Sequence, residues 1–127
     1  KELLAALHAA KIPTGIISTR LLDSLEQLLM EHDMRRFVDI LIGHDLVVHD
    51  KPDPEGILKA MRQLHCDRSI YVGDSPTDII AGKRANAYTI AVLSNAKKEE
   101  IVLREKPDAK AYTLAEVETQ IKKELKQ

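Results

Sequence analysis

The sequence predicts an α/β fold: a doubly wound, Rossmann-like, mostly parallel sheet with helices on both faces. Three observations predict it. Apolar residues at helical spacing alternate with short β-prone runs in the order αβαβαβαβαβα, the pattern of parallel strands joined by crossover helices. Prolines and capping residues stand at the boundaries between these runs. Polar residues gather just after two of the β-prone runs, where open α/β sheets place their ligands.

Leu3, Leu4, Leu7 and Ala10 recur at helical spacing, so residues 2–11 read as a helix that Pro13 ends. Residues 15–18 form a short apolar strand that leaves through the polar tip Ser18-Thr19-Arg20. Leu22, Leu25, Leu28, Leu29 and His32 mark a second helix, and residues 37–42 return as a strand. Leu46-Val47-Val48 is a short extended piece or turn. Pro52 biases Lys51 out of helical geometry. Asp53 before Pro54 is a cap followed by a good first helical residue, and Ile57, Leu58, Met61 and Leu64 form the stripe of that helix.

Ile70-Tyr71-Val72 reads as a buried strand, and Gly73 lets the backbone turn at its end. Ser75 caps, and Pro76 opens, a helix running to about Ala85. Residues 88–93 are a further strand. Asn95 caps a helix over 96–105, which Pro107 breaks. A short strand at 109–112 precedes Thr113-Leu114-Ala115-Glu116, a capping box that opens the final helix to about Lys126.

The 127 residues form a single domain, 1–127, with 44% hydrophobic and 31% charged residues. A net charge of −1 with interspersed signs points away from nucleic acid and from anionic membrane surfaces. No apolar run approaches a membrane span. The lone Cys66 cannot form an internal disulfide, so a reducing, cytoplasmic location is expected, with Cys66 as buried filler on a helix. The five histidines show no metal-ligand spacing. No glycine-rich nucleotide loop follows any strand, which removes dinucleotide binding and P-loop hydrolysis.

The chemistry-bearing residues are Ser18, Lys51, Asp74 and Asp78. Each alone has an ordinary structural reading. Ser18 can bond its own strand end, and Lys51 can be a solvated loop charge. Asp74 can fill a turn, and Asp78 can close a capping box with Ser75. Arg20 reads as solvent-facing or as a phosphate contact, and His44 and His49 as surface groups or substrate contacts. Together they suit a phosphate with Mg²⁺: a hydroxyl donates, an ammonium neutralises charge, and two carboxylates are hard ligands for the metal.

The sequences Gly15-Ile16-Ile17-Ser18-Thr19-Arg20, Lys51-Pro52-Asp53-Pro54-Glu55 and Val72-Gly73-Asp74-Ser75-Pro76-Thr77-Asp78-Ile79, in that order, resemble the haloacid dehalogenase-like hydrolase superfamily. The resemblance is closest to its branch of phosphoglycolate phosphatases and pyrophosphatase-like relatives. It implies Mg²⁺-dependent hydrolysis of a small phosphomonoester or pyrophosphate through an aspartyl-phosphate. It implies that Ser18, with Thr19, holds the phosphoryl group and that Lys51 steadies nucleophile and phosphate. Asp74 would then ligate Mg²⁺, with Asp78 as a second ligand or a supporting acid, and all four residues would converge at one end of a parallel sheet.

The chain departs from that pattern in one respect. The superfamily uses a nucleophilic Asp followed by a second Asp two positions on, and no Asp here has an Asp at that spacing. The resemblance therefore implies a missing central strand, supplied by an N-terminal segment or another chain, and an absent cap domain. By itself the chain should not turn over substrate, and a gap should lie beside the strand that precedes Asp74. The alternative is a non-catalytic module that keeps the fold and binds phosphate or a partner. A phosphoacceptor receiver domain is a weaker third reading, with Asp74 as its acceptor.

Overall fold

The computed structural model describes residues 1–126. Six helices and five strands follow one another in the predicted alternation. They are α1 (Glu2–Ala9), β1 (Gly15–Ile17), α2 (Leu22–Glu31), β2 (Ile40–Ile42), α3 (Glu55–Gln63), β3 (Ile70–Gly73), α4 (Pro76–Arg84), β4 (Tyr88–Val92), α5 (Glu99–Leu103), β5 (Ala109–Ala111) and α6 (Leu114–Leu125). Every strand pair is parallel. The pairing forms one sheet of order β1-β2 and another of order β3-β4-β5. The chain accordingly divides into two compact units, residues 1–50 with 55–67, and residues 51–54 with 68 onward.

In the first unit, β1 and β2 run in register from Gly15 opposite Ile40 to Ile17 opposite Ile42. The Asp39 carboxylate fixes that register by accepting the Thr14 amide at 2.8 Å, just before both strands begin. The core is Leu25, Leu29, Val38 and Leu41, with Leu4, Ile16, Leu22 and Met34 packed against it. Gly56 lets α3 sit close on the strands, since a Cβ there would lie 2.9 Å from Ile17 Cγ2.

In the second unit, Ile70–Gly73 pairs with Tyr88–Ala91, and β4 pairs in turn with β5. Ile79, Ala91, Leu93 and Val102 form the core. The fully buried Thr89 is satisfied by Asp108, whose Oδ2 accepts both the Thr89 amide at 2.8 Å and its hydroxyl at 3.1 Å. Gly82 brings α4 onto the sheet, for a Cβ there would meet Thr89 Cγ2 at 2.6 Å and Tyr71 Cβ at 3.3 Å. The Thr113–Glu116 capping box opens α6 as predicted. Among the described residues β3 pairs with β4 alone, so β3 is an edge strand.

Several local expectations are corrected. The strand predicted over 37–42 is only Ile40–Ile42; the chain enters it through a 3₁₀ turn at Arg35–Phe37, where the Arg35 guanidinium takes the Val38 carbonyl at 2.8 Å. Of the two alternatives at Leu46–Val48, a 3₁₀ turn at His44–Leu46 runs into an extended Val47. The helix expected over 96–105 shortens to Glu99–Leu103, because the Asn95 side chain takes the Lys97 amide in a local turn instead of capping. Cys66 lies beyond the end of α3, half-buried, with Sγ on the Leu64 carbonyl. Gly73 is the last residue of β3, and no glycine has a positive φ, so the turn that follows needs no glycine-specific backbone conformation.

Candidate active site

The second unit brings together Lys51, Asp74 and Asp78. Asp74 directly follows β3, and Asp78 stands in the first turn of α4. Ser75 caps α4 in a full capping box: the Asp78 amide donates to Ser75 Oγ at 3.3 Å, and the Ser75 amide donates to Asp78 Oδ2 at 3.3 Å. The same Oδ2 accepts the Asp74 amide at 3.1 Å. Oδ1 accepts the Lys51 ammonium at 2.6 Å. The structural reading of Asp78 as a capping residue is therefore correct, and the cap simultaneously anchors Lys51.

Space as well as charge holds this carboxylate. A Cβ on Gly73 would stand 2.2 Å from Asp78 Cβ and 2.7 Å from its Oδ2. The glycine of the Gly-Asp pair is needed for close approach, which explains it without any special backbone conformation. The Lys51–Asp78 pair is largely buried, at 19% and 9% side-chain exposure. Burial opposes the charge on both groups. Their mutual hydrogen bond and attraction outweigh it, holding the Lys51 ammonium above its ordinary value and the Asp78 carboxyl below its own. The neighbouring peptide, Lys51–Pro52, is cis, and the Arg84 guanidinium takes the Pro52 carbonyl at 3.4 Å.

Asp74 contrasts with Asp78. It is exposed, and its carboxylate accepts no hydrogen bond from the described residues. It is a hard anionic oxygen donor at the carboxyl end of a strand, free among the described residues. Mg²⁺ commonly takes one or two protein carboxylates and completes its shell with water and phosphate oxygens. Asp74 fits that demand, whereas both oxygens of Asp78 are already engaged. Among the described residues no three His, Cys, Asp or Glu side chains gather as a metal-holding group.

Sequence reasoning missed Tyr71 here. Burial pushes its phenol up, and its hydroxyl interacts with Lys51. The available signal was strand alternation, which puts Tyr71 on the same face as Gly73.

Ser18 and Thr19 belong to the first unit, directly after β1. The Ser18 amide continues the ladder to the Ile42 carbonyl at 3.0 Å. Its Oγ accepts the Arg20 amide at 3.1 Å, which leaves the hydroxyl proton uncommitted among the described residues. Thr19 is exposed. The segment that follows is clamped by the loop after β2. The His44 amide donates to the Arg20 carbonyl at 2.8 Å, and Asp45 Oδ1 accepts the Leu22 amide at 2.9 Å. A Cβ on Gly43 would collide with the Leu22 nitrogen at 2.6 Å. Neither Gly43 nor Asp45 stood out in the sequence, where they read as loop residues. His44 and His49 are exposed and engaged by Asp50 and Glu55.

This architecture and these motifs define a class. The chain belongs to the haloacid dehalogenase-like hydrolases, whose family model matches residues 1–92. Among curated relatives, the pyrophosphatase PpaX of Listeria monocytogenes is 35% identical over 109 residues, covering 84% of this chain and 50% of its own. The pyrophosphatase PpaX of Bacillus velezensis is 36% identical over 109 residues, with the same coverage. A crystal structure described as a haloacid dehalogenase-like hydrolase from Bacteroides fragilis superposes with a TM-score of 0.84 at 31% identity, covering 91% of this chain and 56% of that one. The chain thus spans about half the length of the relatives it matches.

Proposed function

We propose that this chain is a portion of the catalytic core of a cytoplasmic, Mg²⁺-dependent phosphatase that hydrolyses a small phosphomonoester or pyrophosphate through an aspartyl-phosphate. Residues 1–127 act as one incomplete core domain. The single observation that carries this reading is the buried Lys51–Asp78 pair beside the free Asp74 carboxylate. A structural cap needs neither a buried ammonium nor an adjacent unsatisfied acid.

In this reading, Ser18 donates its uncommitted hydroxyl proton to a phosphoryl oxygen, with Thr19 beside it. Lys51, held by Asp78, presents its remaining N–H groups to the phosphoryl oxygens and to the attacking carboxylate. Asp78 acts as the supporting acid, and Asp74 is the residue that would hold Mg²⁺. Bound there, the metal would neutralise charge on the phosphoryl group. The nucleophilic Asp comes from a polypeptide segment or chain outside these residues, as a strand added to the open edge of β3.

The test is p-nitrophenyl phosphate hydrolysis with Mg²⁺, by the chain alone and mixed with the missing segment. Turnover only in the mixture, and its loss in Asp74→Asn, is the expected result. Metal-dependent turnover by the chain alone would show that the nucleophile is misplaced. One observation favours the reading of a non-catalytic binding module, namely that no Asp in the sequence has an Asp two positions on. Phosphate binding with no turnover in any mixture would establish that module instead.

A further inference from the structure

Lys51 and the residue after it are tied to α4 at two heights. The Lys51 ammonium donates to Asp78 Oδ1 at 2.6 Å in the first turn, and the Pro52 carbonyl accepts the Arg84 guanidinium at 3.4 Å in the last. At a rise of about 1.5 Å per residue, those two α4 residues stand about 9 Å apart along the axis. Gly82 lies between them, and Tyr71 packs where its side chain would be: a Cβ there would meet Tyr71 Cβ at 3.3 Å and Cδ2 at 3.4 Å. Strand alternation sets Tyr71 on the same face of β3 as Gly73, whose own Cβ would strike Asp78. The Tyr71 ring is therefore packed between β3 and α4, half-buried, and its hydroxyl interacts with the Lys51 ammonium.

An ammonium is a compact charge on a flexible stem, with three N–H donors and no direction of its own. Asp78 Oδ1 takes one donor, and the other two are free to turn about that bond. A second oxygen, carried on a ring wedged between strand and helix, stops the rotation. We propose that Tyr71 is a positioning residue: its hydroxyl oxygen accepts the second Lys51 N–H and so holds the third in one direction, toward the phosphoryl group. This inference rests on the reading of Lys51 as a phosphate-binding group and adds the residue that aims its charge. Tyr71 acts only through Lys51, and no proton leaves either group.

The test uses Tyr71→Phe, which keeps the ring against Gly82 and removes only the hydroxyl. Two quantities are read with Mg²⁺ present: the affinity for inorganic phosphate by ³¹P NMR titration, and the Lys51 ammonium resonance in a ¹H–¹⁵N spectrum. That resonance is assigned by its loss in Lys51→Gln. In Tyr71→Phe the affinity should fall about fivefold, the size of one ordinary hydrogen bond, and the resonance should shift or broaden. Tyr88→Phe removes the same hydroxyl from the neighbouring strand β4 and should leave both quantities unchanged. An unmoved resonance in Tyr71→Phe overturns the inference, as does an equal effect of Tyr88→Phe. A shifted resonance with full phosphate affinity also overturns it, provided that Lys51→Gln weakens binding. If Lys51→Gln leaves phosphate binding intact, the phosphate role of Lys51 fails instead, while the resonance still reports whether Tyr71 orients the ammonium.

Discussion

The turn after β3 and the turn after β1 fix their polar side chains by opposite physics. After β3, a buried ion pair does the positioning: Asp78 is saturated by one ammonium and two amides, and its glycine neighbour leaves no spare room. After β1, the backbone does it: amides from Arg20, His44 and Leu22 are tied down, while the Ser18 proton stays uncommitted among the described residues and the Arg20 guanidinium rests on Ser24. The first turn stakes stability on its charges. The second keeps Ser18 half-buried and Thr19 and Arg20 exposed, with side chains energetically cheap to change. The comparison predicts that substitutions in the Gly73–Asp78 contact damage the fold most, while those at the exposed Asp74 and around Ser18 act mainly on binding.

The largest effect should come from Gly73→Ala. Its Cβ would overlap Asp78, so either the carboxylate or the strand must move, at a cost of about 3 kcal/mol. Urea unfolding measures it. A loss below half of that would show that the β3 turn is softer than its contacts imply.

Asp78→Asn should cost about 2 kcal/mol, because it leaves the Lys51 ammonium largely buried without its counter-charge. The pH dependence has a definite sign. The Asp78 carboxyl is held below its ordinary value, so its contribution is present above the unfolded carboxyl range and is lost as pH falls through the lower folded value. Lys51 is held above its ordinary value, so its contribution is present below the unfolded amine range and is lost as pH rises past it. Acid and alkaline unfolding midpoints should both move toward neutrality in Asp78→Asn. Unchanged midpoints would remove the ion pair from the account of stability.

On the other side of the comparison, Asp45→Ala removes the acceptor of the first α2 amide and should cost about 1 kcal/mol, a typical helix-cap loss. Thermal unfolding reads this directly. Phosphate binding should weaken as well, since the same contact steadies the segment behind Ser18.

The smallest stability effect should be at Asp74. Asp74→Asn should change unfolding by less than about 0.5 kcal/mol, as expected for an exposed side chain without partners. Mg²⁺ affinity by calorimetry should nonetheless be lost, while Asp53→Asn retains it. Equal Mg²⁺ binding in both variants would reassign the metal away from Asp74.

What the sequence determined by itself was the alternation of helices and strands and the capping boxes at Ser75 and Thr113. These depend on interactions between near neighbours in the chain: apolar period, proline position, and a hydroxyl three residues before an acid. Strand ends and short helices were less legible, because Arg35 and Asn95 redirect the backbone with bonds that local pattern does not rank. The division of labour between the two carboxylates was not legible at all. Asp74 and Asp78 have the same side chain four residues apart, and only the arrival of Lys51 from 27 positions before Asp78 makes one a saturated anchor while the other stays exposed. Gly73 likewise looked like a turn residue until the packed α4 showed that its missing Cβ is the space Asp78 occupies. Contacts between segments distant in sequence are set by packing, and packing exists only once the chain has folded.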